Sequence, residues 1–277
     1  MTGADTLSPA VTGETLGQAL VSVLATADPL AKSAGALRLA EDWRKGRLEF
    51  RFDCRPPDRP ARPERPELRP PAEMPKRRRA GSRERRIALL HAVAHIEFNA
   101  IDLALDILAR FGGGMPRDFA DDWTRIAAEE AEHFLMVCER LKSHGANYGD
   151  LPAHDGLWLA ALATRDDLAM RLAVVPMVLE ARGLDVTPAM RERLAAAGDE
   201  ESAKVLERIF EDEIEHVAAG RRWFAHCAAL AGREEGEYFR QCVKNGFAGR
   251  LKPPFNHEAR RRAGLPEEFY LPIAEVE

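Results

Sequence analysis

The chain has few cysteines. Its four, Cys54, Cys138, Cys227 and Cys242, include no C-x-x-C pair and no closely spaced set. That excludes a compact disulfide framework and fits reduced, buried thiols in a cytoplasmic protein. The start, Met1-Thr2-Gly3-Ala4-Asp5, lacks the basic then apolar pattern of a signal peptide. No uninterrupted apolar run approaches the roughly 18 residues that a spanning helix needs, so a cytoplasmic location with no membrane partner is expected. Positive charge is not in excess either. A formal net charge of −5 argues against a globally basic nucleic-acid binder while leaving room for a local basic patch.

What is present is a 277-residue chain, 45% hydrophobic with mixed charges, long enough to bury a substantial core. Residues 13–46 read as one or two amphipathic helices, with Leu16, Leu20, Leu24, Leu37, Leu39 and Trp43 as apolar positions. Residues 48–53 alternate apolar and polar, which predicts one short strand. From Arg55 to Pro75, eight prolines alternate with arginines and acids, a composition that prefers an extended path. Lys76, Arg77, Arg78 and Arg79 then form a basic run. It is either a contact for RNA or another polyanion, or the end of a solvated strap whose arginines pair with surface acids. The interspersed acids and the negative net charge favour the strap.

Ser82 caps a long helix to about Arg110, stopped by Gly112-Gly113-Gly114, and Pro116 opens a second to about His144, stopped by Gly145. A short helix is expected at 157–164 and a third long one at 166–184, kinked where Pro176 removes a backbone bond. Thr187-Pro188 starts a further short helix, Asp199 to about Ala231 forms the fourth long one, and another covers 234–245 of a helical tail before an irregular segment at 249–256. The fold expected is all-α. Its parts are an N-terminal helical segment (1–54), a proline- and arginine-rich strap (55–81), a four-helix bundle (82–231) and a C-terminal tail packed on the bundle (232–277).

Two stretches stand out, Glu129-Glu130-Ala131-Glu132-His133 and Asp212-Glu213-Ile214-Glu215-His216. In each a glutamate precedes a histidine by three residues, so both side chains share one helical face. Each has a further glutamate on the preceding long helix, and the separations match: Glu97 to Glu130 and Glu180 to Glu213 are both 33 residues. Two helices giving one Glu and two giving Glu-x-x-His is the ligand set of a carboxylate-bridged two-metal site in a bundle. The acids also lie in phase with the apolar faces. Glu97 sits among Leu90, Val93, Ile101, Ala104 and Leu108; Glu130 and His133 among Trp123, Ile126, Phe134 and Val137; Glu213 and His216 among Leu206, Ile209 and Val217. Glu180 follows Leu172, Ala173 and Pro176 less regularly.

Burying four unpaired carboxylates costs several kcal/mol each. Two divalent cations neutralise four negative charges, and two neutral imidazoles complete the shells. Oxygen-rich ligation with one histidine per ion suits iron, manganese or a mixed pair better than zinc. Metal-bound histidines normally donate their other ring proton to an acid, which assigns Asp212 to His133 and Glu129 to His216 across the helices. His91 and His95, one turn apart, are expected to serve helix packing, since they do not share the face of Glu97.

With these residues placed, the chain resembles a bacterial ferritin-like family of unknown function, distantly similar to the tRNA-modifying di-iron hydroxylases. The resemblance rests on His91-Ala92-Val93-Ala94-His95-Ile96-Glu97, on both acid-Glu-x-x-His motifs and on Leu251-Lys252-Pro253-Pro254-Phe255-Asn256. It implies Glu97 and His133 as terminal ligands of one iron and Glu180 and His216 of the other, with Glu130 and Glu213 bridging and acting in catalysis. It implies an oxidoreductase that uses dioxygen to oxidise a small molecule or a modified nucleoside, with ferritin-like metal storage or a non-catalytic metal-binding protein as alternatives. The three tyrosines, Tyr148, Tyr238 and Tyr270, fall outside the four long helices, which argues against a stable tyrosyl radical of the reductase kind.

Overall fold

A computed structural model describes residues 14–74 and 82–275, so the basic run at 76–79 lies outside the described residues. Every named element among those residues is helical. Thr15 and Asp28 cap α1 (Leu16–Leu24) and α2 (Pro29–Arg44), Ser82 caps α3 (Arg83–Phe111), and Pro116 precedes α4 (Arg117–Ser143). These are residue types whose side chains or fixed φ suit a helix start. Gly145 and Gly232, both at positive φ, follow α4 and α8 (Glu200–Ala231), and Asp199 caps the latter. Short helices α5 (Gly156–Ala163), α9 (Glu235–Gly246), α10 (His257–Arg262) and α11 (Glu267–Tyr270) complete the set.

Helix α3 packs along α4, α4 also meets α2 and α8, and α8 runs against α6 (Leu168–Val174) and α7 (Ala181–Ala196). One apolar cluster extends from Leu16 through these helices to Tyr270. By length and composition α3 could cross a membrane, but 78% of its most apolar window is buried inside the fold. The thiols of Cys138 and Cys242 are buried, and burial pushes both up to about 12.

Two expectations need correction. Residues 48–53 form no strand; a single bridge joins Glu49 to Thr15. The carbonyls of Glu49 and Arg51 instead accept from the Leu16 and Gly17 amides, at 2.9 and 3.0 Å. The alternating segment therefore satisfies donors that the first turn of α1 would otherwise leave open. Second, no new helix starts at Thr187-Pro188, because α7 runs through Pro188. Proline leaves the carbonyl four residues back without its helical donor, and Asn256 Nδ2 fills that place on Leu184 O at 3.2 Å. The stretch 249–256 is irregular, as expected, and α10 and α11 follow it in the helical tail. At Pro176 the chain widens into a π-helical segment, Val175–Glu180, with the Ala181 amide reaching back to Pro176 O. Gly220 of α8 lets that bulge approach: a Cβ there would sit 2.4 Å from Pro176 Cβ.

The segments outside the long helices are held by buried ion pairs. Lys32 of α2 is fully buried and reaches Asp102 of α3 at 2.5 Å and Ala61 O of the strap at 2.9 Å. Arg62 of the strap bonds Asn99 at 2.7 Å and lies 3.2 Å from Asp102. Arg171 pairs with Asp106 at 2.6 Å, and Arg260 of α10 with Asp185 at 2.7 Å. Burial lowers Lys32 and raises Asp102 against their mutual attraction, as expected for charges taken out of water. Removing one partner strands the other. Lys32→Met is expected to lower the unfolding free energy by about 3 kcal/mol in urea titrations, and adding Asp102→Asn to recover part of it. A single variant as stable as the wild type would show that the pair does not pin α2.

Candidate metal centre

The four long helical stretches bring the two Glu-x-x-His motifs face to face. One donor atom from each of Glu97, Glu130, His133 and Glu213 falls in a group whose members all lie within 4.8 Å of one another. His133 Nδ1 is 3.3 Å from Glu97 Oε2 and 3.4 Å from Glu130 Oε2. His216 Nδ1 is 2.9 Å from the other oxygen of the same carboxylate, Glu130 Oε1, and 3.9 Å from Glu213 Oε2. Glu130 thus turns one oxygen toward each histidine, and the two imidazoles lie 5.8 Å apart between ring centroids. His216 and Glu180 stand outside the group of four. His216 joins it through Glu130. Glu180 ends the π-helical segment, its Oε2 is buried, and its charge acts on those of Glu130 and His216.

The outer sides of the histidines are anchored. His133 Nε2 lies 3.0 Å from Asp212 Oδ2, and His216 Nε2 lies 2.9 Å from Glu129 Oε2. An Nε2–H donated outward leaves Nδ1 directed inward. Two arginines complete this layer, and the sequence reading missed both: Arg125 donates to Glu129 at 2.6 Å, and Arg208 donates to Asp212. A signal for them exists. Adding 83 to 97, 125, 129, 130 and 133 gives 180, 208, 212, 213 and 216, so the whole constellation recurs at one offset.

Seven inward atoms of these six residues are buried and make no hydrogen bond of acceptable alignment, close as some of them lie to one another: Glu97 Oε2, Glu130 Oε1 and Oε2, His133 Nδ1, Glu180 Oε2, Glu213 Oε2 and His216 Nδ1. Native interiors rarely leave such groups unpaired, and a convergent set of them indicates an absent partner. The other buried acids differ. Asp102, Asp106, Asp185 and Asp199 each have a lysine or arginine within 3.1 Å, whereas the four glutamates have no Lys or Arg ion pair among the described residues.

Electrostatics agree with the geometry. Burial pushes Glu97 up to about 7 and Glu180 up to about 8, each with a further push from the charge of Glu130. Burial and the neighbouring acids also raise Glu213. Burial would raise Glu130 too, but His216 and His133 overcome it and hold the carboxyl below its ordinary range. Against the effect of burial, the surrounding acids raise both histidines. This collection of acids sharing charge is what divalent cations relieve, and four carboxylates with two imidazoles fit two such ions.

A cavity of about 200 Å³ opens against Glu97, Glu180 and Glu213. Its walls come from α3, the start of α5 and the loop before it, the end of the π-helical segment, α7 and α8, and they are mostly apolar. Glu130 and both histidines are not part of its lining.

His91 and His95 bind elsewhere. His91 Nε2 accepts from the Gly149 amide at 3.0 Å. His95 lies 2.9 Å from the Tyr148 hydroxyl and 3.1 Å from His154 O, and burial lowers it to about 4. Tyr148 lies in a loop, yet it packs on Phe98 and Phe134, the neighbours of Glu97 and His133. No local spacing signals that contact.

Comparison with known proteins places this architecture in a family. A protein of Haemophilus influenzae described only as uncharacterized is 42% identical over 221 residues, 78% of this chain and 76% of that protein. No solved structure matches the chain. The model of a protein family of unknown function, DUF455, matches residues 25–271, and the chain therefore belongs to that family.

Proposed function

We propose that the chain is a ferritin-like four-helix bundle that holds a carboxylate-bridged metal pair and uses dioxygen to oxidise an organic substrate. The bundle comprises α3, α4, the α6–α7 helix and α8. Glu97 and His133 would serve one ion, Glu180 and His216 the other, with Glu130 and Glu213 between them. The observation that carries this reading is the set of seven converging donor atoms without a well-aligned hydrogen bond. Oxygen-rich ligation with one imidazole per ion favours iron, with manganese or a mixed pair also suited.

When bound, a redox-active pair of this kind supplies the electrons that dioxygen needs to react. The chain's own residues do the rest. Asp212 and Glu129 hold the imidazoles at fixed angles, and Arg208 and Arg125 hold those acids in turn. Glu130 and Glu213 would be the ligands free to change their mode of ligation. The apolar wall of the neighbouring cavity keeps water from the carboxylate face and leaves room for an organic group. Metal storage has no use for such a wall. The resemblance to the tRNA-modifying hydroxylases makes a modified nucleoside one candidate substrate and a free small molecule the other.

Protein purified without added metal is expected to carry two redox-active ions per chain by elemental analysis, and Glu130→Ala to lose at least one. Oxygen consumption by the iron-loaded protein with candidate substrates should fall at least tenfold in that variant; equal rates would remove the redox reading. Asp212→Asn keeps the shape but weakens the hold on His133. It should reduce metal affinity by about 10–100-fold with unchanged helical circular dichroism, and unchanged affinity would contradict the anchoring role.

A further inference from the structure

We infer that the cavity beside the carboxylates receives an uncharged hydrocarbon group, from a benzene ring to a short alkylbenzene in size, and that Gly183 keeps it open. The inference rests on the proposed function, because it names the class of substrate that would meet the site.

Size sets the first limit. An apolar cavity of about 150 Å³ is enough to hold benzene, and this one is about 200 Å³. Chemistry sets the second. The walls include Val93, Ile96, Val186, Met190, Leu206 and Ile209, and Ile96 is 44% exposed. Such a surface rewards removal of hydrocarbon from water and penalises an unpaired charge. The one cation in the lining, Arg182, donates to Lys252 O and Pro254 O at 2.8 Å each and lies 3.3 Å from Asp185. The tail thus already engages it, and the far end of the cavity is three glutamates. Without metal an anionic head meets three more carboxylates there, and with two divalent ions bound the four ligand carboxylates already offset their charge, so it gains no net counter-charge.

Gly183 supplies an independent observation. Glycine weakens a helix interior more than any residue except proline, so one inside α7 needs a reason. Two other helical glycines have one. A Cβ at Gly220 would lie 2.4 Å from Pro176, and one at Gly246 would lie 2.5 Å from Met170. Gly183 has no positive φ, and a Cβ there would meet nothing within 4 Å. Neither packing nor backbone geometry demands glycine at this position. What it preserves is volume, since it lines the cavity.

Filling that volume should therefore block the ligand without harming the fold. Toluene and n-butylbenzene are titrated calorimetrically into wild type, Gly183→Ala and Gly183→Leu, with benzoate as the charged counterpart and metal content assayed on the same samples. Both hydrocarbons should bind the wild type, and benzoate at least tenfold more weakly. Gly183→Leu should lose toluene binding at least tenfold, with a Tm at or above that of the wild type. Gly183→Ala, the smaller plug, should weaken n-butylbenzene more than toluene. Equal toluene binding by wild type and a folded Gly183→Leu, or tighter binding of benzoate than of toluene, would overturn the assignment. Metal content keeps the two readings apart. Metal-free protein that still takes up toluene leaves the cavity assignment standing and removes the redox reading; metal-bound protein that takes up none overturns the cavity assignment alone.

Discussion

Negative charge buried beneath apolar helices must find a positive partner, and two different solutions to that demand organise the molecule. Asp102, Asp106 and Asp185 are answered by Lys32, Arg62, Arg171 and Arg260. Lys32 and Arg62 belong to the N-terminal region and Arg260 to the tail, so pairing these acids also fastens the peripheral segments to the long helices. Among the described residues, Glu97, Glu130, Glu180 and Glu213 are answered by no such side chain. Their neighbours are one another and two histidines. One rule therefore explains how the periphery attaches and where a cation from outside the chain belongs.

That distinction decides how much of the site could be read from residue order. Phase put Glu97, Glu130 and Glu213 on inward faces, and the Glu-x-x-His spacing put each histidine beside its glutamate. The crossing of Asp212 to His133 and of Glu129 to His216 followed from what histidine ligands need on their outer side. Phase alone, however, could not separate Glu97 from Asp102 and Asp106, which are buried on the same helix. The difference lies in cations 70 and 65 residues away in sequence, and only the folded chain brings these into reach. Local signals also failed where a distant group intervened. Pro188 reads as a helix start until Asn256 is seen to supply its missing donor, and the alternation at 48–53 reads as a strand until α1 takes up its carbonyls. The caps at Ser82 and Asp199 were legible because a cap acts within three residues of itself.

The recurrence at an offset of 83 residues governs the ligands and their anchors but not the helices that carry them. Val93 on α3 corresponds to Pro176, where the chain widens into the π-helical segment, and Gly220 on α8 lets that segment come close. The resulting asymmetry has a direction. On the histidine side, the arginine-backed acids Asp212 and Glu129 close off the imidazoles. On the other side, Glu97, Glu180 and Glu213 meet open, apolar volume.

For the proposed chemistry this direction matters more than the ligand list, since the same six residues suit storage and oxidation alike. A pair of ions held here would be screened from solvent on the imidazole face, where polar partners already occupy every outward position. Approach would be confined to the carboxylate face, through walls that favour hydrocarbon over water. Carboxylates are the ligands able to shift between bridging and terminal modes, whereas imidazoles locked by an outer acid are not. Three of the carboxylates, Glu97, Glu180 and Glu213, thus line the apolar cavity, whereas Glu130 and the locked imidazoles do not. A storage site would need neither that division nor the apolar wall, which is why the surroundings of the cluster, rather than its composition, favour oxidation.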